Sequence, residues 1–260
     1  MVIAGTENSS HSDIFLADTD SSDSEQDSLF DETEDSPEVP SNSYASPASQ
    51  TPPDTLIPAR LSISQIPGLY FNPNTRLATD VIDTLLRKCI STFFQREGAN
   101  QVMLFERVQE TASLSRIPTF LVDLLHILSR LLQPLLPSHI HSLLFPPATA
   151  PPQARQVIIN HYLPGEGITP HVDLLDRFGD GIIGVSLGSG ESAEVYLPPG
   201  SVYVMSGEAR YRWTHGIEGR KADLIERFDG DTEGAWVQRT TRVSITFRWL
   251  LPGADVVGGV

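Results

Sequence analysis

Thirteen of the chain's 33 acidic side chains fall within residues 1–55, where there is no lysine or arginine to balance them, and this segregation decides how much of the 260 residues can fold. The segment carries −13 and is otherwise Ser-, Thr- and Pro-rich, so it cannot bury enough apolar surface to offset the entropy of ordering it. It is expected to be a disordered acidic tail. Residues 56–260 hold the remaining 20 acids against 18 bases, a net of −2, so the pI near 4.7 describes the tail and not the folded part. About 205 residues are enough for one domain with a sizeable core, assigned to 56–260.

A single cysteine, Cys89, excludes an intramolecular disulfide framework and a cysteine-based zinc site. Met1–Asp13 has neither a basic flank nor an apolar run, and residues 121–145 are interrupted by Asp123, Arg130, Pro134 and Pro137. No secretory signal and no spanning helix are therefore expected, and the chain reads as a soluble monomer of the cytoplasm or nucleus. Within the tail, Ile14–Leu16 and Leu29–Phe30 are small apolar islands, read first as chance in a solvated tail and otherwise as a motif folding onto a basic protein partner, and Ser22, Ser24 and Ser28 each precede an acid by three residues.

From Leu61 the texture changes. Val81, Ile82, Leu85, Leu86, Cys89, Ile90, Phe93 and Phe94 recur at helical spacing up to Gly98 and place Cys89 on the apolar stripe. A second helix is predicted to start at Pro118 and run through Leu121, Leu124, Leu125, Leu128 and Leu132 to Pro134. His126, His139 and His141 read as surface or satisfied polar residues of this region. Pro146, Pro147, Pro151 and Pro152 mark a linker, after which β-branched runs dominate: 157–162, 182–187, 201–205 and 243–249. Val243, Ile245 and Phe247 alternate with Arg242, Ser244, Thr246 and Arg248, so the last strand has one apolar and one polar face. An α-helical front and a β half predict an α+β, mainly β fold in which helices buttress a double-stranded β barrel.

His171-Val-Asp173 places an imidazole and a carboxylate on one face if the segment is extended. Alone this is a weak signal, because such a triplet arises by chance roughly once in two chains of this composition. His215, in Trp213-Thr-His-Gly-Ile217, is a candidate third ligand, and two histidines with one carboxylate leave three adjacent coordination positions open, as in non-haem Fe(II) oxygenases. Arg242 and Arg248, six apart on one strand face, offer planar guanidinium groups that can hold the free carboxylate of a dicarboxylate co-substrate. Asn160 and Tyr162 suit neutral hydrogen bonds from the opposite wall.

Asn160-His-Tyr162-Leu-Pro-Gly-Glu-Gly-Ile-Thr-Pro-His171-Val-Asp173, Ser186-Leu-Gly188, Gly207-Glu-Ala-Arg-Tyr211-Arg-Trp213-Thr-His215 and Arg242-x5-Arg248 resemble the AlkB-type 2-oxoglutarate- and Fe(II)-dependent dioxygenases, most nearly the AlkB homologues that act on tRNA wobble uridines. The resemblance covers roughly residues 156–250. It implies a double-stranded β-helix, or jelly-roll, oxygenase core, with His171, Asp173 and His215 holding Fe(II). It also implies that Arg242 pairs with the distal carboxylate of 2-oxoglutarate while Asn160, Tyr162 and Arg248 line the same pocket. The implied reaction consumes O2 and 2-oxoglutarate, releases succinate and CO2, and hydroxylates or demethylates a nucleic-acid base.

Two departures from that pattern stand out. Repair enzymes of the family carry a second aspartate two residues after the metal aspartate, where this chain has Leu175, which argues against recognition of N-methylated adenine or cytosine. The 189–197 connection is also shorter than the resemblance implies, either a shortened barrel edge that exposes apolar surface or the trace of a lost exon. Rival readings are a catalytically degenerate oxygenase-fold adaptor that docks through its acidic tail, an oxygenase acting on a protein side chain, and a zinc hydrolase. The near-neutral core and the −13 tail predict low affinity for RNA or DNA. Arg210, Arg212, Arg220, Lys221, Arg227 and Arg239 supply local basic groups. Tyr211 and Trp213 are either barrel packing or stacking surfaces for an extruded base.

Overall fold

The computed structural model describes residues 2–5, 59–60, 66–106, 117–151, 153–188, 195–226 and 234–254. Its elements in chain order are β1 (Val2–Gly5), β2 (Leu69–Arg76), α1 (Thr79–Phe93), β3 (Gln101–Glu106), α2 (Thr119–Leu132), α3 (Ser138–Leu144), β4 (Arg155–Tyr162), β5 (Ile168–His171), β6 (Ile182–Gly188), β7 (Ser201–Met205), α4 (Glu208–Tyr211), β8 (Trp213–Ile217), β9 (Ala222–Ile225), β10 (Ala235–Gln238) and β11 (Arg242–Trp249). The described residues belong to one unit, Met1–Thr6 with Leu56–Val260. Most of the segment expected to be disordered, with its apolar islands and serines, lies outside the described residues. Val2–Gly5 departs from that expectation, because it pairs antiparallel with β8.

The helices form where the apolar spacing predicts them. Ile82, Leu85 and Cys89 make the buried stripe of α1, and burial pushes the Cys89 thiol up to about 12, so it serves as an inert core residue. Pro118 occupies the N-cap of α2, and Leu121, Leu124, Leu125, Leu128 and Leu132 are buried. Each fully buried leucine contributes roughly 1.5–3 kcal/mol of transfer free energy. Together the two helices cover one face of a six-stranded antiparallel sheet of order β2-β7-β6-β11-β4-β3.

β11 sits inside this sheet between β6 and β4, and its register sorts the side chains into two faces. Val243, Ile245 and Phe247, with Val157, Ile159, Ile183, Val185 and Leu187 of the neighbouring strands, meet the helices in one core. The alternate residues make the polar face, but that face does not meet water: Arg242 is 3%, Ser244 8% and Arg248 6% exposed. A second sheet of order β1-β8-β5 lies over it, with Trp213 of β8 packed among Ile182, Tyr203 and Met205 of the large sheet. The interior between the two sheets is therefore lined by charged groups on one side.

β2 and β3 fall in the region read as helical and are strands at the two edges of the large sheet. The sequence around Pro73 and the short run Gln101–Glu106 lack strict alternation, as edge strands with one poorly covered side do. In the connection expected to be short, Ser189–Glu194 lie outside the described residues, while Val195 and Leu197 are buried and Val195 bridges Arg60. No exposed apolar edge arises there among the described residues, since β6 lies between β7 and β11, and β2 pairs with the outer edge of β7.

Candidate metal centre

His171 and His215 are direct cross-strand partners in the β5–β8 ladder, with ring centroids 4.5 Å apart. Residues facing each other across an antiparallel pair have adjacent side chains, so the ladder itself brings the two imidazoles together. His215 is the middle residue of its own strand. Asp173 arrives differently. β5 ends at His171, so the shared face expected of an extended His-x-Asp does not apply. The carboxylate stands in the following loop, and one ligand atom from each of the three residues lies within 4.8 Å of the others.

Hydrogen bonding and burial poise all three for a cation. His171 Nδ1 lies 2.9 Å from the Thr169 carbonyl, which only accepts, so Nδ1 carries a hydrogen and Nε2 is the nitrogen left to face a metal. Burial pushes the His215 imidazole down to about 4, with Asp173 opposing that shift and His171 and Arg248 adding to it. A neutral His215 makes no ion pair with Asp173, and 3.6 Å from Nε2 to Oδ2 is too long for a hydrogen bond. The Asp173 carboxylate is split: Oδ1 accepts from Arg248 Nη1, whereas Oδ2 is buried with no hydrogen-bond partner among the described residues. A buried carboxylate oxygen left bare beside two lone-pair nitrogens fits a divalent transition metal, and two imidazoles with one carboxylate suit iron.

The expected co-substrate residues share the interior face of the large sheet, with Asn160, Tyr162 and Arg242 at one end of it and Arg248 at the other. Tyr162 stands directly across the ladder from Arg242, whose guanidinium carbon lies 5.3 Å from the phenol ring centroid. Asn160 is across from Ser244 and accepts from Gln101 Nε2 at 2.8 Å. Asn160 and Tyr162 thus belong to the strand beside Arg242, not to an opposite wall. Arg242 Nε donates to Ser186 Oγ at 2.9 Å. Arg248, about 20 Å further along the strand by its rise, is at the metal end, where it bonds Asp173 and Gln156 and lies 4.0 Å over the Phe178 ring.

Reading by residue type missed several contributors. Ser186 was legible as a strand and motif residue and Gln156, just before the run at 157–162, not at all, since nothing in their spacing says which guanidinium they face. Arg210, read as a surface cation, is 2% exposed and bonds main-chain carbonyls of the Asp173 loop. Arg239, read in the same way, is buried in a bidentate pair with Asp223 at 2.6 and 2.7 Å. Arg220 pairs with Glu218. Arg212 keeps a largely exposed side chain, Lys221 stays exposed, and Arg227 lies outside the described residues. Trp213 belongs to the interior packing, whereas Tyr211 is exposed. His141 Nε2 is satisfied by the Ser129 carbonyl. No helix among the described residues is long and apolar enough to cross a membrane.

A ladder-paired His–His couple, a bare buried carboxylate oxygen and a guanidinium-lined interior define a two-histidine, one-carboxylate metalloprotein site on a mainly β scaffold. The sequence matches the 2OG-Fe(II) oxygenase superfamily over residues 98–248, and the chain belongs to that family of 2-oxoglutarate-dependent dioxygenases, whose cofactors are Fe(II), 2-oxoglutarate and O2. It stands near the AlkB-type ALKBH8 branch. It is 44% identical over 105 residues to uncharacterized protein L905 of Acanthamoeba polyphaga mimivirus, covering 36% of this chain and 47% of that one. It is 43% identical over 112 residues to the tRNA (carboxymethyluridine(34)-5-O)-methyltransferase alkbh8 of Xenopus tropicalis, 36% of this chain and 18% of that protein. The alkylated DNA repair protein ALKBH8 homolog of Arabidopsis thaliana is 32% identical over 99 residues, 27% of this chain and 29% of that one. The chain thus spans less than half the length of these relatives. Among solved structures, a Pseudomonas putida prolyl-4-hydroxylase aligns with 70% of this chain and 92% of its own at 12% identity and a TM-score of 0.39, a likeness too slight to bear on architecture or function.

Proposed function

We propose that this chain hydroxylates a base of RNA, within tRNA, as an Fe(II)- and 2-oxoglutarate-dependent dioxygenase on a jelly-roll core. The observation that carries the reading is the convergence of His171, Asp173 and His215 with Asp173 Oδ2 left bare between them. Fe(II) with 2-oxoglutarate and O2 supplies the oxidation: one oxygen atom enters a C–H bond of the substrate and the other enters succinate as CO2 leaves.

The chain's own residues hold and orient. His171 Nε2, Asp173 Oδ2 and His215 would bind the iron from one side, leaving the other for 2-oxoglutarate and O2. Arg248 fixes the unused Asp173 oxygen, so that the carboxylate presents Oδ2 alone. Arg242, desolvated and flanked by Ser186 and Tyr162, would anchor the distal carboxylate of 2-oxoglutarate. Asn160, beside Tyr162, adds a polar wall to the same pocket.

A tRNA base is favoured by the names of the ALKBH8 relatives. Leu175, 55% exposed two residues past the metal aspartate, supports a neutral base over a cationic N-methylated one, because an apolar neighbour offers no charge to pair with. Purified protein with Fe(II), ascorbate, 2-oxoglutarate and tRNA is expected to release succinate and yield a base heavier by one oxygen atom. His171→Ala is expected to abolish both. Succinate release unchanged in that variant would overturn the metal assignment.

A further inference from the structure

Arg210 is a fully buried arginine whose hydrogen bonds all end on main-chain carbonyls of one loop. Nη1 donates to the Asp173 carbonyl at 3.0 Å, Nη2 to those of Leu174 at 3.0 Å and Phe178 at 3.1 Å, and Nε to that of Gly179 at 3.3 Å. Four carbonyls turned toward a common centre concentrate negative potential in an enclosed space, and burying a guanidinium there is tolerable only because its planar fork meets several at once. The far end of the loop is also tied to the chain around the end of β11, where the Gly179 N–H donates to the Trp249 carbonyl and the Leu251 N–H to the Arg177 carbonyl, each at 2.9 Å, whereas its start at Asp173 takes its main-chain contact from Arg210. Asp173 lies beyond the β5–β8 ladder, and inside the loop the Phe178 N–H reaches the Leu174 carbonyl at 3.2 Å.

The placement of Arg210 along the chain matters as much as its bonds. It stands on α4, one short turn between β7 and β8, and His215 follows five residues later. A second tie runs parallel to the first: the Gly207 N–H and the Ser206 hydroxyl both donate to the Asp180 carboxylate, each at 2.9 Å. Segment 206–211, which leads into one metal ligand, is thereby fastened to segment 173–180, which begins with another.

We propose that Arg210 is a positioning residue for the metal centre, holding the Asp173 loop in register with the His215 strand so that the carboxylate is in place before a metal arrives. The inference rests on the metal-binding reading above. It concerns the backbone beneath the carboxylate, a different constraint from the one Arg248 places on Oδ1. Lysine cannot replace it, since one ammonium cannot reach carbonyls spread across a seven-residue loop.

The test uses the full chain and Co(II), whose visible absorption reports both affinity and ligand geometry. Arg210→Lys and Arg210→Gln are expected to weaken Co(II) binding about 10–100-fold, the usual effect of losing a group that orients metal ligands, and to change the absorption bands. Arg239→Gln serves as the control, a buried arginine bound to Asp223 that lowers stability but leaves Co(II) affinity within about twofold of wild type. Wild-type affinity and spectrum in Arg210→Lys, or equal losses in the Arg210 and Arg239 variants, would overturn the proposal. Wild-type protein that binds no Co(II) would remove the metal reading itself. If the Arg210 variants do not fold, amide exchange in the metal-free wild type decides: the Phe178 amide is expected to be protected to nearly the level of β11, and exchange at the rate of an open loop refutes the pre-set loop.

Discussion

At the scale of single residues, the balance around Asp173 sets the chemistry. Its two oxygens are unequal, with Oδ1 bound to Arg248 and Oδ2 bare. Removing one member of a buried ion pair strands the other, so Arg248→Met is expected to destabilise the metal-free protein by about 3–5 kcal/mol in urea unfolding. A second expectation concerns pH. His215 has a folded-state pKa near 4, below its ordinary 6.5. Between those values the unfolded chain binds the proton and the folded one does not, so the metal-free protein loses stability as pH falls from 6.5 to about 4, on the order of 3 kcal/mol. His215→Gln is expected to flatten that part of the stability–pH curve, and an unchanged slope would show that His215 is not the group responsible.

At the scale of elements, strands and helices were legible to different degrees for a physical reason. α1 and α2 bury one stripe each and announce it at helical spacing, and the inner strands β4, β6, β7 and β11 announce themselves as β-branched runs. β2 and β3, with one side less covered, leave no such pattern. The alternation in β11 reports only that its two faces differ, not what covers the polar one, which the second sheet encloses. Leu128→Ala, at a fully buried site of α2, is expected to cost about 2–5 kcal/mol of unfolding free energy and leave Co(II) affinity unchanged. The helix supports the back of the sheet, away from the ligands. A loss of metal affinity there would mean that the helical layer strains the site.

For the molecule as a whole, charge and the chain's first strand set the terms. Residues 56–260 carry −2, and Arg210 and Arg239 are taken up inside, so the exposed bases are offset by acids and leave no net attraction for phosphates. RNA binding is accordingly expected to be weak and only mildly salt-dependent, a log–log slope shallower than about −2. A steep slope would show that a local cluster of bases outweighs the net charge. β1 adds a partner along the edge of β8, with Ile3 opposite His215 in the register. Deleting residues 1–6 is expected to lower the thermal midpoint by about 4 °C, the shift that a loss near 1 kcal/mol causes in a domain of this size. An unchanged midpoint would show that this pairing contributes nothing.

Residue order alone determined the two amphipathic helices, the inner strands and the three candidate ligands that the fold brings together, because each is carried by a short period or by a contiguous motif. Tertiary structure alone decided which arginine faces which partner. Arg210, Arg239, Arg242 and Arg248 are chemically identical in sequence, yet one grips a loop backbone, one is buried against Asp223, one bonds Ser186 beside Tyr162 and one holds the Asp173 carboxylate. A guanidinium's role follows from the carbonyls and carboxylates brought to it by strands far apart in the chain, and no local pattern encodes that convergence.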